Sequence, residues 1–252
     1  MKILITGHRG FIGSHLNKLI PEADGLDIKN GYHEDIRTCN LDKDYTHIFH
    51  LAALRSAELG EQYPENFITT NCWGTVRLLK RYSKARFLNV TSASVEDVKG
   101  IYGATKKFSE LIGSLSPNVI NVRPYNVFGE GQLLESNAVI PNFIYCFLNS
   151  IKPTIYGEGS QIRDFTYVED LVREMKRLMF ETNMTGTVHA GYNKPISIWE
   201  LAKMIYGHQP EVVFASERTF DTFYSIAPYS IKQYVGREEG IRRTIEWWRN
   251  IR

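Results

Sequence analysis

The sequence has few cysteines, little net charge and no long apolar run. Its three cysteines, Cys39, Cys72 and Cys146, are widely spaced, which favours packing roles in a reducing compartment over disulfides or a metal site. The formal net charge of +2 gives no general attraction for nucleic acid or a membrane surface. No apolar run is long enough to cross a bilayer, and the N-terminus does not resemble a signal peptide. These absences predict a cytoplasmic enzyme or binding protein with no metal, nucleic-acid or membrane partner.

What the sequence does contain is an alternation of short apolar runs and longer helical stretches. In the first half we expect strands at 2–6, 23–27, within 47–53, at 87–91 and at 118–123, with helices at 11–19, 70–83 and 102–114. This alternation predicts an α/β fold with a doubly wound, Rossmann-type parallel sheet. After Pro124 the pattern loosens, and further helices are expected at 138–149, 168–180 and 198–206.

A glycine-rich turn joins the first predicted strand to the first helix. In TGHRGFIG, the glycines are Gly7, Gly10 and Gly13. Glycine allows the backbone to approach a phosphate closely, and a helix N-terminus attracts negative charge. The spacing GxxGxxG is weak by itself, because a tight turn needs the same residues.

Asp27 strengthens the interpretation of this turn. It follows Gly7 by 20 residues, at the end of the second predicted strand, where a carboxylate can accept hydrogen bonds from an adenosine ribose. The pair predicts a dinucleotide site. NAD is favoured over NADP because Asp27 would repel a 2′-phosphate, although Arg9 or Lys29 could meet such a phosphate.

Tyr102 and Lys106 form the one YxxxK pair in the chain. Positions i and i+4 lie on one face of a helix, and a nearby ammonium would lower the pKa of the tyrosine from about 10 toward neutrality. The phenolate could then exchange a proton with a sugar hydroxyl while hydride moves to or from nicotinamide. Thr91, Ser92 and Ser94 follow the preceding strand, where a hydroxyl could orient the substrate; ordinary turn chemistry is the alternative.

Together these residues resemble the extended short-chain dehydrogenase/reductase family, in its NAD-dependent nucleotide-sugar epimerase/dehydratase branch. The resemblance covers nearly the whole chain and implies catalysis by Ser92, Tyr102 and Lys106. It rests on TGHRGFIG, HLAALR, RPYNVFGEGQ and IYGEGSQIRDFTYVEDLV. The cofactor-binding residues that it implies are Gly7, Arg9, Gly10, Phe11, Ile12, Gly13, Asp27, Asp35, Ile36, Leu51, Ala52, Ala53, Arg55, Asn71, Thr91 and Tyr125.

The resemblance also implies a nucleotide-diphosphate sugar as the substrate. Asn126 would lie by the substrate, and the guanidinium of Arg163 would clamp the diphosphate, as its planar donors suit phosphate oxygens. Arg218 and Asp221 resemble a second diphosphate contact and a ribose contact. Residues 1–125 would form the dinucleotide-binding domain, to which 163–190 return, and residues 126–252 would form mainly a smaller substrate-binding lobe.

The segment after Thr91 favours one reaction of the branch. Dehydratases carry an Asp-Glu pair here, whereas this chain has Ser92-Ala93; 3,5-epimerases and reductases usually place a cysteine nearby, and this chain has none between Cys72 and Cys146. By subtraction the sequence is most similar to a 4-epimerase, which oxidises the sugar to a transient 4-keto form. The alternatives are an NAD(P)-dependent reductase or decarboxylase on the same scaffold, or a non-catalytic cofactor-binding relative.

Two further expectations depend on the family. Ser92 and Tyr102 are only 10 residues apart, whereas the family normally has a much longer loop, so the site should be more open. Family members often form homodimers through the helix that carries Tyr102 and the helix before it. The apolar residues available for this purpose, which core packing could equally use, are Cys72, Trp73, Val76, Leu79, Phe108, Leu111 and Ile112.

Overall fold

A computed structural model describes residues 1–219 and 222–251 of the chain. The chain divides into two compact units. The first comprises Met1–Pro124 and Val172–His189, and the second comprises Tyr125–Leu171 and Ala190–Arg252. The stretch that belongs with the first unit therefore begins at Val172 rather than at residue 163, and the functional division into cofactor and substrate domains stays a prediction.

The first unit is built on a sheet with the strand order β2-β1-β3-β4-β5-β8. Its strands are β1 (Ile3–Thr6), β2 (Asp24–Leu26), β3 (His47–His50), β4 (Arg86–Val90), β5 (Val119–Pro124) and β8 (Gly186–Ala190). Strands β1 to β5 pair in parallel. The order reverses between β1 and β3, and the crevice at the carboxyl ends of such neighbouring strands is where open α/β sheets bind ligands. The doubly wound α/β fold is confirmed.

The sheet forms from apolar runs because both of its faces are covered. All four residues of β1 are buried, as a parallel sheet between helices requires. The helices of this unit are α1 (Phe11–Leu19), α2 (Ala57–Gln62), α3 (Pro64–Phe67), α4 (Gly74–Arg81), α5 (Gly100–Ser114) and most of α7 (Val168–Phe180). One core cluster joins Leu4, Ile48, Leu78, Phe87 and Val119 across strands and helix.

The chain between β3 and β4 differs from the single helix expected at 70–83. Helices α2 and α3 come first, and a wide π-helical stretch, Ile68–Trp73, leads into α4. Such widened turns are often found at functional sites. Two 3₁₀ turns, Ile28–Asn30 and Tyr32–Glu34, occupy part of the connection between β2 and β3.

The second unit combines helices with short strands. Its elements are α6 (Val139–Leu148), β6 (Thr154–Tyr156), β7 (Ile162–Arg163), β9 (Ile196–Ser197), α8 (Ile198–Tyr206), β10 (Val213–Ala215), β11 (Tyr224–Ser225) and α9 (Arg237–Asn250). Strand β6 pairs with β10, and β7 lies between β11 and β9. Ser197 and Glu200 form a capping box that fixes the start of α8. Across the two described stretches, no helix has both the length and the apolarity to span a membrane.

Candidate active site

The glycine turn has a shape that side chains would destroy. Gly7 has a φ of +72°, and a Cβ there would lie 2.7 Å from the backbone nitrogen of Ala52. A Cβ at Gly13 would overlap the carbonyl oxygen of Gly7. Gly10 precedes α1 and offers no side chain to cap it, so the helix N-terminus keeps its donors for an anion. The turn fits the pyrophosphate of a dinucleotide.

A cavity of about 380 Å³ adjoins this turn at the carboxyl ends of β1 and β3. Eight of the sequence-predicted cofactor residues line it: Gly7, Gly10, Asp27, Asp35, Ile36, Leu51, Ala52 and Ala53. It is also lined by Lys29, which the sequence indicates could meet a 2′-phosphate, and by residues that the sequence does not single out: Leu26, Ile28, Glu34, Arg37, Leu54, Asn66 and Thr70. Arg9, Phe11, Ile12, Gly13, Arg55, Asn71 and Thr91, which belong to the same unit, are not among its lining residues. Their cofactor roles stay predictions.

Asp27 is buried and held in place by backbone donors. Its two carboxylate oxygens accept hydrogen bonds from the amides of Arg9 (2.9 Å) and Lys29 (3.0 Å). The guanidinium of Arg9 donates to Asn30 Oδ1 (2.7 Å) and to the carbonyl of Lys29 (3.3 Å). A carboxylate fixed in this way retains lone pairs for the ribose hydroxyls of NAD, whereas a 2′-phosphate would meet its negative charge.

Replacing Asp27 by asparagine should weaken NAD binding about tenfold and narrow the preference for NAD over NADP, because a hydrogen bond to a charged acceptor is lost and the repulsion of a 2′-phosphate is removed. Titration of both cofactors against wild type and variant would measure this. Lys29→Met is the matched control on the same turn, and it should weaken NAD binding less than the asparagine variant does. An unchanged ratio of the two affinities would contradict the role of Asp27.

The predicted catalytic residues Ser92, Tyr102 and Lys106 lie together in the first unit. Ser92 follows Thr91, just beyond the carboxyl end of β4, and Tyr102 lies in the first turn of α5. The Ser92 hydroxyl accepts hydrogen bonds from the backbone nitrogen (3.1 Å) and the hydroxyl (2.9 Å) of Ser94. Its own hydrogen is therefore available for Tyr102, with which it forms a side-chain hydrogen bond.

The pKa of Tyr102 differs from the sequence expectation. Burial raises it above the ordinary value, and only the hydrogen bond from Ser92 and the positive charge of Arg55 oppose this. Lys106 is not among the groups that lower the pKa of Tyr102, and its ammonium donates to the carbonyl of Val90 at 2.6 Å. The prediction that Lys106 lowers the pKa of Tyr102 is therefore wrong.

Lys106 lies in a setting that disfavours its charge. It is 6% exposed, and burial lowers its pKa to about 8. Burial also lowers the pKa of the nearby His50 to about 3, so that imidazole is neutral and hydrogen-bonds Thr6 (2.8 Å) and Thr75 (3.0 Å). Because the histidine is neutral, Lys106 is the charged member of this pair at pH 7.

An ion-pair network supports the residues after β4. Glu110 accepts two hydrogen bonds from Arg123, at 2.7 and 2.5 Å, and one from the Thr91 hydroxyl at 3.2 Å. Arg123 also reaches Glu96 at 3.2 Å, and His189 lies 3.1 Å from the same Glu96 oxygen. Glu96 belongs to the short loop between Ser92 and Tyr102, so the network fastens that loop to the ends of β5 and β8. No pattern in the sequence indicates these contacts.

The second unit contains a separate cavity of about 380 Å³. It is lined by three predicted substrate residues, Asn126, Arg163 and Arg218. Asn126 donates to the carbonyl of Asp164 at 3.0 Å, and the Arg163 guanidinium donates to two backbone carbonyls, those of Ile162 (2.8 Å) and Phe223 (2.9 Å). Arg218 stacks on the ring of Tyr156, 4.0 Å from its centroid. The fourth predicted residue, Asp221, lies outside the described residues.

The sheet and the glycine turn define a protein of the class that binds a nicotinamide dinucleotide on a doubly wound α/β fold. The chain belongs to the NAD-dependent epimerase/dehydratase family, whose sequence model matches residues 3–190. NAD is the cofactor of that family, and membership of the family confirms the prediction that the cofactor is NAD.

Known proteins similar to this chain act on nucleotide sugars in more than one way. A UDP-N-acetyl-alpha-D-glucosaminuronate decarboxylase of Bacillus cytotoxicus is 27% identical, with 99% of this chain and 98% of the relative covered. A UDP-N-acetylglucosamine 4-epimerase of Methanobrevibacter ruminantium, solved with UDP-N-acetylmuramic acid, has a TM-score of 0.87 and 26% identity over 100% of this chain and 99% of that structure. A UDP-glucose 4-epimerase of Thermotoga maritima, solved with UDP-glucose, has a TM-score of 0.86 and 25% identity over 100% and 99%.

The length of this chain sets it apart from the Bacillus relative. The alignment with that protein spans 321 positions, whereas this chain has 252 residues. The relative therefore carries segments that this chain lacks, in keeping with the few residues between Ser92 and Tyr102.

Proposed function

We propose that this protein is an NAD-dependent 4-epimerase of a nucleotide-diphosphate sugar. The observation that carries the proposal is the Ser92–Tyr102 hydrogen bond at the carboxyl ends of the strands, in the unit that holds the glycine turn. A tyrosine oxygen that accepts a hydrogen bond from serine can take a proton from a sugar hydroxyl, since the same donor stabilises the phenolate. NAD, when bound, supplies the hydride acceptor for that oxidation and the hydride for the reverse step.

The side chains of this site have separate tasks in the proposed reaction. Tyr102 reacts as the phenolate, which the hydrogen bond from Ser92 and the positive charge of Arg55 favour against the effect of burial. The phenolate oxygen takes the proton of the C4 hydroxyl as that carbon is oxidised to a ketone, and it returns the proton when C4 is reduced from the opposite face. Ser92 orients the C4 oxygen. Lys106 provides a positive charge at the carboxyl end of β4, and the Glu110–Arg123 pair holds Thr91 and the loop in position.

The cavity of the second unit is the proposed site of the nucleotide diphosphate. Two arginines, Arg163 and Arg218, supply planar donors that suit phosphate oxygens. The Tyr156 ring beside Arg218 and the amide of Asn126 add a flat surface and a polar contact. This combination supports a ligand with both a diphosphate and a planar base.

A decarboxylase is the second candidate, and the similarity to a decarboxylase of a carboxylated nucleotide sugar favours it. Oxidation at C4 of a uronic acid places the ketone β to the C6 carboxylate, and β-keto acids lose carbon dioxide readily. The same tyrosine chemistry would therefore serve both reactions, which differ in whether a 4-keto uronic acid keeps or loses its carboxylate before C4 is reduced.

Product analysis tests the proposed function. The protein would be incubated with NAD and a panel of UDP-, GDP- and dTDP-sugars, both neutral and carboxylated. We expect a C4 epimer and no net consumption of NAD. Release of carbon dioxide with a pentose product would establish the decarboxylase instead, and the absence of any product across the panel would count against both.

A homodimer remains a proposal supported by one exposed apolar surface. Trp73 and Leu111 are each 55% exposed, and Phe108, one turn before Leu111 on α5, is also exposed. We expect the protein to elute at twice its 29.0 kDa mass and Leu111→Glu to shift it to the monomer, because a charge would be buried in the interface. Light scattering after size exclusion measures both. Val213→Glu, at an exposed apolar residue of the second unit, should leave the dimer intact; a monomeric wild type would refute the proposal.

A further inference from the structure

The turn after β3 exposes an arginine whose charge is uncompensated. Within residues 1–219 and 222–251, no hydrogen bond or ion pair engages the guanidinium of Arg55. The neighbouring carboxylates have other partners. Glu58 accepts a hydrogen bond from the Ser56 hydroxyl at 3.0 Å, and Glu61 accepts one from the backbone nitrogen of Ile101 at 2.7 Å.

The backbone on both sides of Arg55 is fixed. On one side, the amide of Asn71 clamps Leu54, accepting from its nitrogen at 2.8 Å and donating to its oxygen at 3.0 Å. On the other side, Ser56 caps α2 through the nitrogen of Leu59 at 3.2 Å. Ser56 has a φ of +103°, a strained conformation for a residue with a Cβ, and such strain concentrates at functional sites. The turn therefore presents Arg55 from a preorganised backbone.

This turn lies beside the catalytic tyrosine. Helix α2, which begins directly after Ser56, packs on the start of α5 so closely that a Cβ at Gly60 would lie 3.2 Å from the nitrogen of Tyr102. The charge of Arg55 acts on the Tyr102 hydroxyl. Leu54 lines the cofactor cavity, whereas Arg55 does not. An anion bound by Arg55 would thus lie near the reacting hydroxyl and outside the cavity next to the glycine turn.

We propose that Arg55 binds a carboxylate on the sugar ring, so that the substrate is a nucleotide-diphosphate uronic acid. The inference rests on the proposed function, which places C4 of the sugar at Tyr102. The diphosphate is attached at C1, across the pyranose ring from C4, whereas the C6 carboxylate of a uronic acid is attached to C5, next to C4. A guanidinium matches a carboxylate with two parallel hydrogen bonds.

Equilibrium binding to the NAD-loaded protein separates the sources of the anion. The probes are UDP-glucuronic acid, UDP-glucose and UDP, which share the nucleotide and diphosphate, together with NAD itself. We expect wild type to bind UDP-glucuronic acid more tightly than UDP-glucose. Arg55→Met should weaken the binding of UDP-glucuronic acid by about 10- to 100-fold, as for other hydrogen-bonded ion pairs. It should change the affinities for the other probes by less than about twofold. The affinity of Arg55→Lys for UDP-glucuronic acid should lie between those of wild type and Arg55→Met. Arg249→Met, on the exposed face of α9, should bind every probe as wild type does.

Three results would overturn the assignment. An equal loss of affinity for both UDP-sugars and UDP would make Arg55 a diphosphate ligand. A loss of affinity confined to NAD would make it a cofactor ligand. No change in any affinity would make it a solvated surface residue. Failure of the proposed function has a different signature, because wild type would then form no C4 epimer from any nucleotide sugar of the panel, whatever the affinities of the Arg55 variants.

Discussion

Tyr102→Phe should reduce turnover of the nucleotide sugar by at least about 1,000-fold while NAD still binds. Proton transfer by a positioned side chain contributes about 10²- to 10⁴-fold to a rate, and phenylalanine removes only the oxygen that carries the proton. The ring should stay in place, because its edge-to-face contact with Phe67, at 6.5 Å between centroids, does not involve the hydroxyl. The measurement is kcat on the substrate found by product analysis, with NAD affinity determined in parallel.

A second tyrosine provides the matched control for this variant. Tyr45 lies in the same unit, and its hydroxyl donates to Asp24 at 2.7 Å, away from the site. Tyr45→Phe should therefore leave turnover unchanged. If Tyr102→Phe kept its turnover within tenfold of wild type, the tyrosine would not be the proton acceptor. If wild type and variant both bound NAD and neither turned over any sugar, the chain would be a non-catalytic relative of the family.

The sheet and its ligand-binding edge could be predicted because they depend on local patterns. Buried parallel strands read as short apolar runs, and the glycine turn has its own spacing. The helices at 11–19, 168–180 and 198–206 were expected within the bounds observed. The short helices and the widened turn between Ala57 and Trp73 could not be predicted in this way. They depend on packing against α5 and on the amide of Asn71 rather than on periodicity.

The positions of the candidate catalytic residues in the fold could be predicted from the sequence, whereas their electrostatics could not. The spacing of Tyr102 and Lys106 correctly places both on α5, but the pKa of the tyrosine depends on burial and on where the ammonium points. The spacing of residues along the sequence indicates neither the burial of the tyrosine nor the position of the ammonium. The Glu110–Arg123–Glu96 network was invisible for a similar reason, because its members come from three segments that only the folded sheet brings together.

Lys106→Met should abolish turnover and, at pH 7, stabilise the protein by about 2 kcal/mol. The pKa of Lys106 falls from 10.5 to about 8 on folding, and a shift of that size costs about 3 kcal/mol when the buried group is charged. Methionine has a similar length and adapts to irregular apolar surroundings. Loss of the hydrogen bond to Val90 offsets about 1 kcal/mol of the gain. Urea unfolding measures the difference, and Lys107→Met, at the less buried neighbouring lysine, should not reproduce it.

The pH dependence identifies the source of this gain. Between pH 8 and 10.5 the unfolded wild-type chain keeps its proton on Lys106 while the folded chain has lost it, so the stability of wild type rises with pH in that window. The methionine variant has no such contribution, and its advantage should shrink as the pH rises from 8 to 10.5. A variant less stable than wild type at pH 7, or an advantage that does not change with pH, would contradict the burial of an uncompensated charge. The expected pattern would mean that the site retains a destabilising lysine because the reaction needs its charge.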